Sequence, residues 1–170
     1  MDACCFIDAV KQEVGVLPEE EYDDVWYIKK LLEAHREGEL RVLTSSLSVA
    51  ECLAVDNGQQ EVPQEVQDAI KRILSSGQYL VLATQTPKTS QIVRNLRWRH
   101  NVVFKGADGL HVATALEHSA SEFITRDEKL KKEKFKKAKE QLQNLETRFI
   151  RASETQYLPN RMRQGQMLDE

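Results

Sequence analysis

Apolar residues recur along the chain at helical spacing, and short apolar runs stand between the helical stretches. Over residues 19–36, Val25, Ile28, Leu31 and Leu32 share one helical face, and Gly38 follows as a stop. The same period predicts a helix from Pro63 through Val66, Ile70, Ile73 and Leu74 to about Gly77. It predicts another from Thr86 or Thr89 through Ile92, Val93 and Leu96, and two more over 107–117 and about 128–145. A shorter helix capped by Ser45 or Ser46 would carry Val49, Cys52 and Leu53 on its apolar side. The runs over 41–44, 79–83, 122–125 and 148–150 read as strands, and 3–7 as a short strand end. Strands separated by helices of this length predict βαβ units, hence an α/β fold with a central, mostly parallel sheet flanked by helices. In such sheets ligands bind beyond the carboxyl ends of the strands.

Four acids break this pattern where it is most apolar. Asp2 opens Asp-Ala-Cys-Cys-Phe-Ile. Glu51 interrupts Leu47 to Ala54. Asp108 heads a run from Gly109 to Leu116, and Asp127 ends Phe-Ile-Thr-Arg-Asp. A carboxylate near apolar surroundings is costly without compensation, and four gathered together would repel. A hard divalent cation is the natural compensation. Asp127 and the start of the Ser45 helix both fall at carboxyl ends of expected strands, so the acids have a geometric reason to converge.

Size and charge narrow the picture. A chain of 170 residues, 41% hydrophobic and 30% charged, suits one globular domain. No apolar run approaches the ~20 residues of a membrane span. The first apolar stretch is short, carries Asp2 and Asp8 and lacks a basic lead, so the expected location is cytoplasmic. Cys4, Cys5 and Cys52 have neither zinc-site nor disulfide-framework spacing and read as buried thiols. The net charge of −3 hides an asymmetry: residues 1–60 hold 5 Lys/Arg against 13 Asp/Glu, and residues 61–170 hold 19 against 14. One basic focus is Arg94-Asn-Leu-Arg97-Trp98-Arg99-His100, and another spans 129–139. The first could grip phosphates and stack a base on Trp98, although a solvated helix with Trp98 in the core is the plainer expectation. His111, one turn after Asp108, reads as structural because no His or Cys partner supports zinc.

The four acidic segments resemble the motifs of PIN-domain nucleases: Asp2-Ala-Cys-Cys-Phe-Ile; Leu43-Thr-Ser-Ser-Leu-Ser-Val-Ala-Glu51; Lys105-Gly-Ala-Asp108-Gly-Leu-His-Val-Ala-Thr-Ala; and Phe123-Ile-Thr-Arg-Asp127-Glu-Lys-Leu. Their order and spacing fit from Asp2 to about Ile150, so residues 1–150 are expected as the domain and 151–170 as a C-terminal tail. In one respect the chain departs from the family. A full strand precedes the first acid there, and only Met1 does here; Asp8 is the alternative first acid, without the motif's apolar continuation.

The resemblance implies a PIN-like three-layer sandwich and a Mg²⁺- or Mn²⁺-dependent endoribonuclease. It implies Asp2, Glu51, Asp108 and Asp127 around the metal, with Asp2 and Asp108 as direct ligands and the others orienting metal-bound water. Thr125, Arg126 and Arg97 are the candidate substrate-binding residues. Compact size resembles the VapC toxins of toxin–antitoxin pairs. That implies an RNA substrate (tRNA or rRNA), a cognate antitoxin that places an Arg or Lys near the acidic pocket, and a homodimer. The rival expectation is a PIN fold without catalysis that serves as a binding or scaffold module; a structural cation site is a third.

Overall fold

The computed structural model describes residues 1–56, 61–75, 77–104, 106–127 and 136–163. The chain opens on a helix, α1 (Ala3–Glu13), where the apolar run suggested a strand end. Asp2 is its cap: the backbone is extended there, and Oδ1 accepts from Ala3 N at 2.8 Å. Cys5, Phe6, Ala9 and Val10 then fall on one buried face, a helical spacing that the short run before Asp8 concealed.

Helix α2 (Tyr22–Arg36) buries Val25, Ile28, Leu31 and Leu32 as expected, and leads to strand β1 (Leu43–Ser45) and the short α3 (Leu47–Glu51). Helix α4 (Gln64–Ile73) precedes strand β2 (Val81–Ala83). Helix α5 (Pro87–His100) starts with a reciprocal cap between Thr86 and Thr89, and Pro87 occupies its first position. Helix α6 (Ala107–Glu117) and strand β3 (Glu122–Ile124) follow, then α7 (Lys136–Asn144) and strand β4 (Arg148–Ile150). Residues 128–135, with the expected helix start and the first part of the basic cluster over 129–139, lie outside the described residues. After β4 the chain makes a 3₁₀ turn (Ala152–Glu154) and helix α8 (Asn160–Arg163), burying Leu158 and Met162 in the core. Residues 164–170 of the expected tail lie outside the described set.

Among the described residues the strands pair in parallel, β1 with β2 (Leu43↔Val81, Ser45↔Ala83) and β3 with β4 (Glu122↔Arg148, Ile124↔Ile150). The first two residues bridge them. Met1 N donates to Leu43 O at 2.8 Å, Asp2 N donates to Ile124 O at 2.9 Å, and Thr44 Oγ1 donates to Met1 O at 2.9 Å.

Strand alternation sends neighbouring side chains to opposite faces. Ile124 and Ile150 join a core with α1, α2 and α4, while Phe123 and Phe149 join a second core with α5, α6 and α7. Two cores on opposite faces of the strands make a three-layer α/β sandwich. Helices α5 and α6 approach closely at Gly109. A side chain at Gly109 would place its Cβ 3.3 Å from both Phe104 Cβ and Val93 Cγ1. Just upstream, Gly106 turns the chain into α6 at φ +54°, a conformation that L side chains rarely adopt.

Candidate active site

Asp2, Asp108 and Asp127 line one narrow cavity of about 10 Å³, room for about one water. Phe104, Val112, Phe123 and Phe149 form its apolar wall. The three acids come from three places that the fold brings together: the cap of α1, the first turn of α6 and the segment after β3. The positive ends of α1 and α6 favour the Asp2 and Asp108 carboxylates.

Glu51, at the last position of α3, joins through a side chain that sequence reasoning set aside. His111 Nε2 lies 2.5 Å from Glu51 Oε2 and 3.8 Å from Asp2 Oδ1, and the imidazole is almost wholly buried. His111 Nδ1 is buried with no hydrogen-bond partner among the described residues. The tautomer that fits places the proton on Nε2, donating to Glu51. The available signal was spacing: His111 is three residues after Asp108, hence on the same helical face.

Thr125 ties the other side of the cluster. It is buried, its Oγ1 donates to Asp2 Oδ2 at 2.9 Å, and it accepts from Asp127 N at 3.1 Å. Cys4 Sγ stands 3.5 Å from Asp2 Oδ2 and 3.6 Å from Thr125 Oγ1, and accepts from Arg126 N. Cys5 and Cys52 are buried free thiols; burial pushes Cys52 up to about 12. A hydrogen bond with Cys4, aided by burial, raises Cys5 well above its ordinary value.

Among the described residues no group of three or more His, Cys, Asp or Glu is placed so that it could by itself hold a metal ion. The donor chemistry nonetheless fits a hard divalent cation. The three residues on the cavity offer carboxylate oxygens only, and Mg²⁺ needs one or two of these because it keeps several waters. A second cavity of about 320 Å³, lined from β1 and β3 among others, contains none of the four acids and has no part in this arrangement.

The remaining sequence candidates fall elsewhere. Arg126 was expected near substrate, but its guanidinium is 8% exposed and points into a set of acids. Nη1 is 2.9 Å from Asp8, Nη2 is 2.6 Å from Glu21, and Nε is 3.1 Å from Asp24. Burial works against that charge, and the three carboxylates outweigh it, leaving the guanidinium above its ordinary pKa. Asp8, the alternative first acid, is therefore an Arg126 partner, and Asp2 faces the cavity. Arg97 is exposed and bonds Asn101 Oδ1 at 3.0 Å. Trp98 is 71% exposed rather than in the core. Of the apolar side expected for the Ser45 helix, Cys52 is buried, but Val49 and Leu53 are exposed and Ser48 is buried instead.

With this geometry in hand the family is plain. The PIN domain matches residues 2–136, and the chain belongs to the PIN-domain family. No curated protein and no solved structure matches the chain. PIN domains are generally nucleases, and those nucleases typically use divalent metal ions. Among the described residues no helix is long and apolar enough to cross a membrane.

Proposed function

We propose that this PIN domain is a Mg²⁺- or Mn²⁺-dependent endoribonuclease acting on tRNA or rRNA. The observation that carries the reading is the meeting of Asp2, Asp108 and Asp127 on one cavity, with Glu51 joined to Asp2 through His111. Asp2 and Asp108 would hold the ion, and Glu51 and Asp127 would orient water. A divalent cation there supplies a water of lowered pKa and relief for charge developing on the phosphoryl oxygens. Thr125 fixes one oxygen of Asp2, and the amide of Ala3 fixes the other. His111 holds Glu51. Arg126 drops out of the substrate contacts and serves as the anchor between the end of β3, α1 and α2.

The finer reading is a VapC-like cytoplasmic toxin, homodimeric and held inactive by a cognate antitoxin. It rests on the resemblance in compact size. Incubating a mixed tRNA and rRNA pool with Mn²⁺, Mg²⁺ or EDTA tests the activity. Discrete metal-dependent fragments, absent with Asp108→Asn, are expected. Folded, antitoxin-free protein that cleaves nothing would shift the assignment to a PIN fold serving as a binding module.

A further inference from the structure

Helix α5 carries Lys88, Arg94, Arg97, Arg99 and His100, and no acidic residue. Arg94, Arg97, Trp98 and Arg99 are all exposed. Trp98 is the most exposed large hydrophobic side chain among those described. The Arg94 guanidinium lies 4.8 Å from the centre of its ring, so one indole face already carries a stacked cation. Cations without acidic neighbours on their helix suit a polyanion, and an open indole suits a partner with flat faces. Single-stranded RNA offers both, whereas a duplex keeps its bases stacked inside.

The position suits a substrate leading to the acids. Val93 of α5 and Phe104 of the connecting segment pack at Gly109, next to Asp108, and Phe104 also lines the acidic cavity. Phe104 is six residues beyond Trp98, so one helical hairpin carries both the patch and Asp108.

We propose that the outward face of α5 binds single-stranded RNA, with an unpaired base stacked on Trp98 and flanking phosphates on Arg94, Arg97 and Arg99. The proposal rests on the ribonuclease reading and names how its substrate is gripped. The tryptophan supplies sequence-tolerant stacking; the arginines supply the salt-dependent part.

The test is fluorescence anisotropy of a labelled single-stranded RNA of about a dozen nucleotides, in EDTA so that no metal-dependent cleavage occurs. The same sequence as a duplex, and inorganic polyphosphate as competitor, report the purely ionic part. Trp98→Ala is expected to weaken the single strand roughly 5- to 100-fold. It should change duplex and polyphosphate less than about twofold, and Trp98→Phe should retain most of the affinity. Arg97→Gln is expected to weaken all three and lower the salt slope by about one. Unchanged single-strand affinity in Trp98→Ala overturns the proposal, as does an equal loss for all three ligands. So does a change of oligomeric state by sedimentation, which would make this face a protein contact. The two readings fail separately. Trp98-dependent binding without metal-dependent cleavage removes the nuclease and keeps the surface; metal-dependent cleavage with the same KM in Trp98→Ala removes the surface and keeps the nuclease.

Discussion

Replacing Arg126 by Met keeps much of the side chain's length and removes the charge that three acids share. Breaking a buried ion pair by deleting one partner costs about 3–5 kcal/mol, because the remaining charge stays buried and uncompensated. The structure places the expected cost toward the lower end. Glu21 is partly exposed, and its pairing contributes at most about 1 kcal/mol. Asp8 keeps Lys11 at 3.3 Å, and Asp24 keeps two donors from Ser153, the backbone N and Oγ, each at 3.0 Å. The Arg126 Nη1 and Nε contacts to Asp8 and Asp24 lack hydrogen-bond geometry, so what is lost there is charge compensation. About 3 kcal/mol remains, which for a chain of this length lowers the thermal midpoint by about 6–12 °C. Urea unfolding followed by circular dichroism at neutral pH measures it. Adding Asp24→Asn to Arg126→Met should recover part of the loss, since the second change removes a stranded charge. A loss under about 1 kcal/mol refutes the buried-anchor account. Abolished RNA binding with unchanged stability would restore Arg126 to the substrate contacts.

Two further outcomes follow from the cluster. His111→Ala removes the donor that holds Glu51, and the Mn²⁺ concentration for half-maximal cleavage should rise roughly 10- to 100-fold. His111→Gln should restore part of it, and an unchanged metal requirement would make His111 a packing residue only. Because thiolate is the reactive form and Cys5 and Cys52 are held protonated well into alkaline pH, iodoacetamide at about pH 8 should label Cys4 alone in the folded protein and all three cysteines in urea. Mass spectrometry reads the sites, and equal labelling of Cys52 in folded protein would contradict its burial.

The long periodic elements were legible in the sequence because their burial follows one period, as in α2 and α4. So was the family, because Asp108 and Asp127 sit in extended, specific surroundings. The first element was misread for a physical reason: five apolar residues fit a strand and one turn of a helix equally, and the cap that decides between them is itself a candidate site residue, Asp2. Val49 and Leu53 were misplaced because α3 spans only residues 47–51, too short for the helical period to set a buried face. Trp98 and Arg126 inverted the usual expectations for aromatic and charged residues. Each depended on what the tertiary fold placed beside it, an open α5 face in one case and three acids from α1, α2 and the turn before α2 in the other. His111 was visible at the right spacing, but its partner Glu51 lies 60 residues away and only the fold joins them.

The proposed chemistry turns on Asp2 and Asp108 holding one divalent ion, with Glu51 and Asp127 orienting its water and Asp8 taking no part. The most direct measurement is Mn²⁺ binding by calorimetry alongside RNA cleavage for the native chain, Asp108→Asn and Asp8→Asn. The account predicts that the native chain and Asp8→Asn bind Mn²⁺ and cleave, while Asp108→Asn stays folded and does neither. Mn²⁺ binding and cleavage that survive Asp108→Asn, or binding lost in folded Asp8→Asn, would contradict it.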